Sequence, residues 1–351
     1  MSGTCVHGVA PIGWQEDQEV HVVKKKPSVA FIGTGIMGAP IAGHILDAGY
    51  PLTVYNRTKE KADGLVERGA VWADSASDAA RTADVVFTMV GYPSDVEEIY
   101  LTTDGLLTCT KPGAMLIDLT TSSPELARDI HGAAEAYDKH AFDLPVTGGE
   151  QGAIDGTLTG IAGATEEYVE RVRPLLETFT SKIFFFDEAG KGQAAKLANQ
   201  IALAGSMVGM ADCLAFAEQS DLDVKLVREM ILSGTGASGA MESLAPKSMR
   251  GDYKPGFQVQ HFLKDLGLAL QTAEDEGLSL PGTDTAFMLY DTLKEIGGGK
   301  MGTQAITLLY AEEGIAEANG LDWSLYTPPA PSSDDASGDG TGAAGQTEQL
   351  A

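Results

Sequence analysis

A lysine and an asparagine share one face of a predicted helix whose other residues are mostly alanine, leucine and glutamine. In the segment GKGQAAKLANQ, residues 190–200, Gly192, Lys196 and Asn199 are spaced i, i+4 and i+7, so they lie on one side of a helix. The missing side chain at Gly192 would leave room for a ligand beside the lysine. Lys196 could then exchange a proton with a small molecule to which Asn199 donates an amide hydrogen bond. The alternative is a solvated lysine.

A second cluster of small residues follows a predicted strand in DLPVTGGEQGAIDGTLTG, residues 143–160. Thr147, Gly148 and Gly149 would expose consecutive backbone N–H groups, and such a concave arrangement can bind a carboxylate. The Thr147 hydroxyl would add another donor. A structural turn is the alternative, but the lysine helix that comes later in the chain favours a carboxylate site.

A glycine-rich turn near the N-terminus has the spacing of a dinucleotide site. The segment VAFIGTGIMGAPIAGHILDAGY predicts a strand, a turn and a helix, with Gly33, Gly35 and Gly38 in the order G-x-G-x-x-G. The first glycine permits the tight turn, the second lets a pyrophosphate approach, and the third lets the helix pack on the strand. The positive end of the helix would face the phosphates. A glycine turn without a ligand is the alternative. The predicted cofactor turn also contains Thr34, Ile36 and Met37.

The residues after the second predicted strand indicate which dinucleotide is preferred. An NAD-binding turn usually carries Asp or Glu about 20 residues after the glycines, where the carboxylate accepts from the ribose hydroxyls. Here the strand LTVY is followed by Asn56, Arg57 and Thr58. A guanidinium would attract a ribose 2′-phosphate, which a carboxylate would repel. NADP is therefore the predicted cofactor, with NAD left open. The alternative is that Arg57 is a solvated residue at a helix start.

Short apolar runs alternate with helical patterns through the first half of the chain. Helices are predicted at 60–67 and 124–136, among others. Such alternation predicts βαβ units and a mostly parallel, Rossmann-like sheet with helices on both faces. The predicted strands are residues 29–32, 52–55, 85–90, 115–118, 141–144, 158–162 and 183–186.

Helical patterns alone fill the second half. Residues 191–219 predict one long helix, on which Gly205 and Gly209 could let another helix approach closely. The predicted fold class is an α/β N-terminal domain followed by an all-α C-terminal domain, with the site in the cleft between them. The last segment offers little apolar surface to bury, which predicts disorder. Further helices are predicted at 224–232, 260–276, 283–295 and 303–318. The predicted divisions are an extension at 1–27, a cofactor domain at 28–188, a helical domain at 189–326 and a disordered tail at 327–351.

The composition disfavours several classes of function. The 351 residues include 24 Lys and Arg against 50 Asp and Glu, a net charge of −26, which disfavours binding to nucleic acid or to an anionic membrane. The sequence has no run of eighteen apolar residues, so no membrane span is predicted. Three widely spaced cysteines favour a reducing cytoplasm over a disulfide framework. The sequence has no cluster of His, Asp and Glu residues that would bind a metal, so no metal site is predicted. Long exposed helical faces predict a homodimer or homotetramer.

Four motifs, taken in order, give the chain a family resemblance. The segments GTGIMG, DLPVTGG, GKGQAAKLAN and HFLKDLGLAL resemble those of the β-hydroxyacid dehydrogenases. This family includes 3-hydroxyisobutyrate dehydrogenase, tartronate semialdehyde reductase and the glyoxylate/succinic semialdehyde reductases. The resemblance covers about residues 28–320. It implies hydride transfer between NADP(H) and a small carboxylate-bearing substrate, either a 3-hydroxy acid or its semialdehyde.

The resemblance also implies roles for individual residues. Lys196 would be the catalytic acid/base and Asn199 would bind substrate. Thr121, in the segment DLTTSS, would lie beside both cofactor and substrate, and Lys264 would close over the nicotinamide from the helical domain. The substrate carboxylate would be held by Thr147, Gly148 and Gly149. The cofactor would also be lined by Met89 and Val90.

Three alternatives bear on the chemistry. The decarboxylating relative 6-phosphogluconate dehydrogenase has a histidine directly before the asparagine, where this chain has Ala198, and it has a larger helical domain. Imine reductases share the fold but generally lack the lysine. A non-catalytic dinucleotide-binding or interaction protein would also be expected to have lost Lys196. The lysine therefore favours alcohol and aldehyde chemistry, with an imine-type reductase and a non-catalytic protein as the remaining alternatives.

Overall fold

The computed structural model describes residues 26–327 of the chain. The predicted N-terminal extension at 1–27 and the predicted disordered tail at 327–351 lie outside the described residues, apart from their inner ends. Both stay predictions.

A six-stranded parallel sheet forms the first half of the described chain, as the strand–helix alternation predicts. Strands β1, β4 and β5 are buried along their whole length, which is why they read as continuous apolar runs. The strand order is β3-β2-β1-β4-β5-β6, with every neighbouring pair parallel. The strands are β1 (Val29–Ile32), β2 (Leu52–Tyr55), β3 (Val71–Trp72), β4 (Val85–Thr88), β5 (Met115–Asp118) and β6 (His140–Asp143).

Three more strands form a separate small sheet in the order β7-β8-β9. In this sheet β7 is antiparallel to β8, and β8 is parallel to β9. The two-residue strands β3 and β7 were not predicted, because segments so short carry no periodicity of their own. The predicted strand at 85–90 is too long, since β4 ends at Thr88. The strands are β7 (Val146–Thr147), β8 (Leu158–Ala162) and β9 (Thr180–Phe185).

Among the described residues, nine α-helices connect or cover these strands. Helix α6, for example, starts at a serine cap followed by proline, the usual sequence signal for a helix start. These helices are α1 (Gly38–Asp47), α2 (Asp63–Glu67), α3 (Ala76–Ala80), α4 (Pro93–Leu101), α5 (Leu106–Cys109), α6 (Pro124–Ala136), α7 (Gly149–Asp155), α8 (Glu166–Glu170) and α9 (Arg173–Leu176). A 3-10 helix at Lys59–Ala62 precedes α2.

The second half of the described chain is helical. Strand β9 ends at Phe185 and α10 begins at Lys191, so the architecture changes where the sequence predicts, although the domain boundaries themselves stay a proposal. The helices are α10 (Lys191–Gln219), α11 (Val224–Leu232), α12 (Ala245–Ser248), α13 (Val259–Asp275), α14 (Pro281–Glu295) and α15 (Glu313–Ala318). A π-helix at Ala240–Leu244 and 3-10 helices at Gly298–Lys300, Thr303–Tyr310 and Trp323–Leu325 complete the set.

The single helix predicted at 303–318 is wrong. The segment divides into the 3-10 helix Thr303–Tyr310 and the α-helix α15. Ala311 and Glu312 separate them with extended backbone, at ψ 156° and 144°. The apolar spacing persists across the break because both pieces pack on the same helical core, so the pattern by itself could not reveal the interruption.

Separate hydrophobic cores stabilise the two halves of the described chain: two in the sheet half, one on each face of the sheet, and one in the helical half. Phe87 lies in the sheet core, with ring centroids 5.9 Å from Phe31 and 5.8 Å from Phe179. In the helical core, Phe262 of α13 meets Tyr290 of α14 edge-on at 5.0 Å. Since aromatic rings bury the largest apolar areas, these contacts contribute to the stability of each half.

Helix α10 is long and apolar enough to cross a membrane by length and composition alone, with a mean hydropathy of 1.4 over its best window. Its apolar residues have another explanation, because Leu197, Met207, Met210 and Leu214 are buried inside the folded chain. The predicted close approach of a helix at Gly205 and Gly209 is wrong for the described residues. Both glycines line an open groove of about 520 Å³.

Candidate functional site

The glycine turn after β1 is shaped by contacts that exclude larger side chains. Gly33 has φ +101°, and a Cβ there would lie 2.1 Å from the carbonyl oxygen of Met89. A Cβ at Gly38 would lie 1.9 Å from the Gly33 oxygen. At Gly35, nothing in the described chain lies within 4 Å of that position. Packing therefore requires the first and third glycines, while the second faces open space.

This open space fits a dinucleotide pyrophosphate. No side chain caps the N-terminus of α1, so its first N–H groups and the helix dipole can face an anion. The Thr34 hydroxyl is buried and has no hydrogen-bond partner among the described residues. An unsatisfied buried hydroxyl is uncommon, and a bound phosphate oxygen would satisfy it. Ile36 is exposed and Met37 is half-buried at the same turn.

The three residues after β2 lie at the next strand end. Asn56 Oδ1 accepts from the Thr34 N–H at 3.0 Å, and Asn56 Nδ2 donates to the Thr58 oxygen at 2.8 Å. Arg57 is exposed and donates through Nη1 to Asp95 Oδ1 at 2.8 Å. The structure therefore brings the predicted ribose-binding residues beside the glycine turn, and it adds Asp95, which the sequence did not single out.

Met89 and Val90 follow β4 instead of ending it. The Met89 N–H donates to the Ile32 oxygen at 2.8 Å, and its own oxygen lies against Gly33. The Val90 N–H donates to the hydroxyl of Thr120 at 3.0 Å. Both residues thus lie at the carboxyl edge of the sheet, beside the glycine turn, where they could line a cofactor.

Lys196 lies on α10 and is 7% exposed. Burial lowers its pKa from 10.5 to about 8, because a charged amine is poorly solvated there; the neighbouring Asp265 raises the pKa and Lys264 lowers it. An amine with this pKa exchanges protons efficiently near neutral pH. The predicted proton-transfer residue therefore has the electrostatic environment that such chemistry requires.

The carboxylate of Asp265 is 2% exposed. Its Oδ2 accepts from Gln200 Nε2 at 2.6 Å, and its Oδ1 pairs with Lys264 Nζ at 2.9 Å. Neither Asp265 nor Gln200 was singled out from the sequence. The available signal was an acidic residue within the apolar helical segment HFLKDLGLAL, since buried carboxylates are rarely unpaired.

Lys264 and Thr121, which the sequence predicts to share a site, are in contact. The Lys264 ammonium donates to the Thr121 carbonyl oxygen. One turn earlier on α13, the ring centroid of His261 lies 5.8 Å from that of Tyr92. Helix α13 therefore lies over the carboxyl ends of β4 and β5.

The predicted ligand space beside Gly192 does not exist. A Cβ at this position would lie 2.5 Å from the Ile161 oxygen, 2.6 Å from the Gly163 nitrogen and 2.7 Å from a carboxylate oxygen of Asp143. The glycine instead lets the first turn of α10 pack directly on β8. Asn199 is half-buried, and its Nδ2 donates to Gln200 Oε1 at 2.8 Å.

The turn containing Thr147, Gly148 and Gly149 connects β7 to α7. Its two glycines have φ +129° and +65°, which orients successive N–H groups in a way that can bind an anion. Glu150, the next residue, reaches within 3.8 Å of the Cβ position of Gly256, shortly before α13. The predicted carboxylate site therefore borders the helical half of the chain.

Two further residues that the sequence did not single out fix the first turn of α10. The Asp143 carboxylate accepts from the N–H groups of Gly190 at 2.8 Å and Gln193 at 2.7 Å. The Gln193 side chain donates to the Thr120 oxygen at 2.7 Å and accepts from the Ser122 N–H at 2.9 Å. This network connects the Lys196 helix to the Thr121 loop. The signal for Asp143 was the acidic residue that begins DLPVTGG.

A buried carboxylate also lies beneath the Thr121 loop. Asp118 accepts from the Thr88 hydroxyl at 2.8 Å and from the Thr120 N–H at 3.0 Å. Burial raises its pKa to about 6. Within residues 26–327, no group of three or more His, Cys, Asp or Glu residues lies together in a way that could hold a metal ion.

Two family models match this chain. Residues 28–186 match the NAD binding domain of 6-phosphogluconate dehydrogenase, and residues 190–310 match the NAD-binding region of NADP-dependent 3-hydroxyisobutyrate dehydrogenase. An uncharacterized oxidoreductase of Bacillus subtilis, YkwC, is 44% identical over 287 residues, covering 82% of this chain and 100% of the relative. The chain belongs to the β-hydroxyacid dehydrogenase family.

Relatives and solved structures with named ligands or activities lie in the same family. The NAD-dependent L-serine dehydrogenase of Pseudomonas aeruginosa is 39% identical, covering 77% of this chain and 93% of that relative. A Mycobacterium tuberculosis 3-hydroxyisobutyrate dehydrogenase solved with L-serine has a TM-score of 0.75 at 31% identity, covering 82% of this chain and 100% of that one. Psf3, solved with NADP+ and 2-OPP, has a TM-score of 0.75 at 30% identity, covering 81% and 100%.

The family assignment makes the chain an NAD(P)-dependent dehydrogenase with a Rossmann-like sheet and a helical C-terminal region. The predictions of family, fold class and NAD(P) cofactor are confirmed. An imine reductase from Myxococcus stipitatus has a TM-score of 0.56 at 20% identity, covering 80% of this chain and 99% of that one, and this likeness shows the fold alone. The roles of individual site residues stay a proposal.

Proposed function

We propose that this enzyme transfers hydride reversibly between NADP(H) and the oxygen-bearing carbon of a small 3-hydroxy acid or its semialdehyde. The observation that carries the proposal is Lys196, a buried amine with a pKa of about 8 that lies near Lys264 and Asp265 of α13. Imine reductases share the fold but generally lack this lysine. A non-catalytic protein has no reason to retain a desolvated lysine, since burying an amine is unfavourable.

Lys196 is the acid/base of the proposed reaction. In oxidation, its neutral amine accepts the proton of the substrate hydroxyl; in reduction, its ammonium returns a proton to the carbonyl oxygen. The bound nicotinamide supplies the hydride acceptor or donor. Asn199 binds the substrate through its amide once that amide turns from Gln200 toward the ligand. The Lys264 ammonium stays at the Thr121 carbonyl, where it closes the cleft over the cofactor.

The substrate carboxylate is held by the turn at Thr147, Gly148 and Gly149. Their N–H groups and hydroxyl are donors suited to an anion. Glu150, the next residue, lies near the start of α13, which supports placing this turn in the proposed cleft. The relatives support the substrate class as well. L-Serine, which is named for a relative and for a solved structure, is itself a 3-hydroxy acid.

The cofactor is held by the glycine turn and by the residues after β2. Thr34 and the uncapped end of α1 take the pyrophosphate, and Arg57 takes the ribose 2′-phosphate, which favours NADP while leaving NAD usable. The likeness to a structure with NADP+ supports this preference, whereas the likeness to an NAD-dependent enzyme shows that the family uses both. We further propose a cytoplasmic homodimer or homotetramer with a division between the cofactor and helical domains at 188/189.

A substrate panel tests the proposal. Purified enzyme is assayed with NADPH and small semialdehydes, with NADP+ and 3-hydroxy acids including L-serine, and with NADPH and cyclic imines. Turnover of at least one acid–semialdehyde pair, with no imine reduction, is the expected result. Reduction of imines alone would favour the imine-type alternative. Tight NADPH binding without any turnover would favour the non-catalytic one.

A further inference from the structure

We propose that Asp265 is a positioning residue whose carboxylate, fixed between Gln200 and Lys264, sets the charge balance around Lys196. This inference rests on the proposed role of Lys196 as acid/base. It assigns to α13 an active part in the proton transfer, beyond closing the cleft.

The geometry anchors the Asp265 carboxylate to the helix that carries the lysine. Gln200 lies four residues after Lys196 on α10, so the two side chains are neighbours on one face. Gln200 Nε2 donates to Asp265 Oδ2 at 2.6 Å, while Lys264 Nζ pairs with Oδ1 at 2.9 Å. Both oxygens are occupied and the carboxylate is 2% exposed, so its position next to α10 is well determined.

The charges in this pocket balance in a way that depends on Asp265. Lys264 is 12% exposed at its side chain and Lys196 is 7% exposed, so water screens neither well. Asp265 neutralises Lys264, and without it an unpaired Lys264 cation would repel a proton from Lys196. The aspartate therefore keeps Lys196 able to hold the proton that reduction consumes.

The surrounding titratable groups do not replace this carboxylate. Asp265 and Lys264 on α13 are the charged residues whose fields shift Lys196. His261, one turn earlier on α13, is shifted toward its neutral form by burial and by Lys264. From the sheet side, Asp143 lies at the first turn of α10, where backbone N–H groups occupy its oxygens.

The direct test measures the titration of Lys196 itself, in the absence of cofactor and substrate. Trace acetylation with acetic anhydride at a series of pH values, read by mass spectrometry of the Lys196 peptide, gives the midpoint at which the amine becomes nucleophilic. In wild type we expect about pH 8. In Asp265→Asn the midpoint falls by about one unit or more. In Lys264→Met it rises, because the remaining carboxylate then stabilises the Lys196 cation.

A matched control comes from the same helix. Asp275 is exposed and accepts from Gln271 at 3.0 Å, so it repeats the glutamine–aspartate pair away from the site. Asp275→Asn should leave the midpoint unchanged. An unchanged midpoint in Asp265→Asn would overturn the proposal. If Asp265→Asn does not fold, Gln200→Leu decides, because it removes the hydrogen bond that fixes the Asp265 carboxylate: a lower midpoint supports the proposal, and an unchanged midpoint rejects it.

The catalytic consequence is a shift of both pH–rate profiles. At pH 7.5, an amine with a pKa of about 8 is about three-quarters protonated, whereas one with a pKa about a unit lower is about one-quarter protonated. Asp265→Asn should therefore move the kcat/KM profiles of oxidation and reduction to lower pH by about one unit. A merely structural role would lower both profiles without moving either along the pH axis. A shifted labelling midpoint with no shift in either pH–rate profile would instead reject Lys196 as the acid/base, which separates the two proposals.

Discussion

Arg57 Nη1 donates to Asp95 Oδ1 at 2.8 Å, which joins the turn after β2 to the first turn of α4. Asp95 also accepts from the Tyr92 N–H at 3.1 Å and is 14% exposed, whereas Arg57 is 75% exposed. The carboxylate is therefore fixed and the guanidinium can move. A 2′-phosphate that binds Arg57 would have to compete with Asp95 for the guanidinium. Two predictions about cofactor preference follow from this arrangement.

Arg57→Ala should reduce the preference for NADP(H) over NAD(H). A charge-assisted hydrogen bond is worth about 1.5–3 kcal/mol, and exposure of the arginine places the expected effect toward the lower end. The measurement is kcat/KM for both cofactors in wild type and variant. An unchanged ratio would show that Arg57 does not bind the phosphate.

Asp95→Asn should increase the preference for NADP(H), because it removes a carboxylate that repels the 2′-phosphate and competes for Arg57. An exposed ion pair is worth up to about 1 kcal/mol, so the cofactor ratio should change about two- to fivefold. The difference should shrink at high salt. Asp78→Asn, which removes a partner of Arg81 on α3, is the matched control. A lower NADP preference in Asp95→Asn would contradict the prediction.

Lys196→Met should abolish proton transfer while keeping the length of the side chain. We expect kcat to fall by roughly 10²–10⁴, the usual contribution of general acid–base catalysis, with little change in NADPH affinity measured by fluorescence titration. Asn199→Ala should raise KM for substrate in addition to slowing turnover. A Lys196→Met enzyme that turns over within a few-fold of wild type would rule out the lysine as acid/base.

The two directions of the reaction should depend on pH in opposite ways. Burial holds the pKa of Lys196 at about 8 in the free enzyme. Oxidation needs the neutral amine, so its kcat/KM should rise as pH increases through about 8. Reduction needs the ammonium, so its kcat/KM should fall over the same range. Parallel profiles in the two directions would assign the titration to a different group.

Gly192→Ala should destabilise the folded chain. The new Cβ would lie 2.5 Å from the Ile161 oxygen, and such overpacking lowers the free energy of unfolding by about 1–3 kcal/mol. Gly205→Ala, on the same helix with nothing within 4 Å, should instead raise it by about 0.5–1 kcal/mol. Urea unfolding of both variants gives the comparison. Equal stabilities would show that α10 does not need the glycine at its first turn.

Local patterns in the sequence were sufficient for most of the fold. The bounds predicted for α10 and α11 agree with the structure because the chain there has strong helix formers and clear ends. The strands β1, β2 and β5 also have their predicted bounds, since each is a short run of apolar or β-branched residues. Strands β3 and β7 have two residues each and exist through pairing with neighbours, which a local pattern cannot show.

The sequence by itself identified the groups to which the proposal assigns the chemistry: the glycine turn, the arginine after β2 and the lysine on α10. Only the tertiary structure decided how these groups are modulated. Asp95 is 38 residues from Arg57, and Asp265 is 65 residues from Gln200, so no spacing along the chain relates them. Likewise, the sequence predicted room for a ligand beside Gly192, but α10 packs on β8 there, and backbone atoms occupy that space. Contacts of this kind depend on how whole elements pack, because burial and charge act through space and not along the chain.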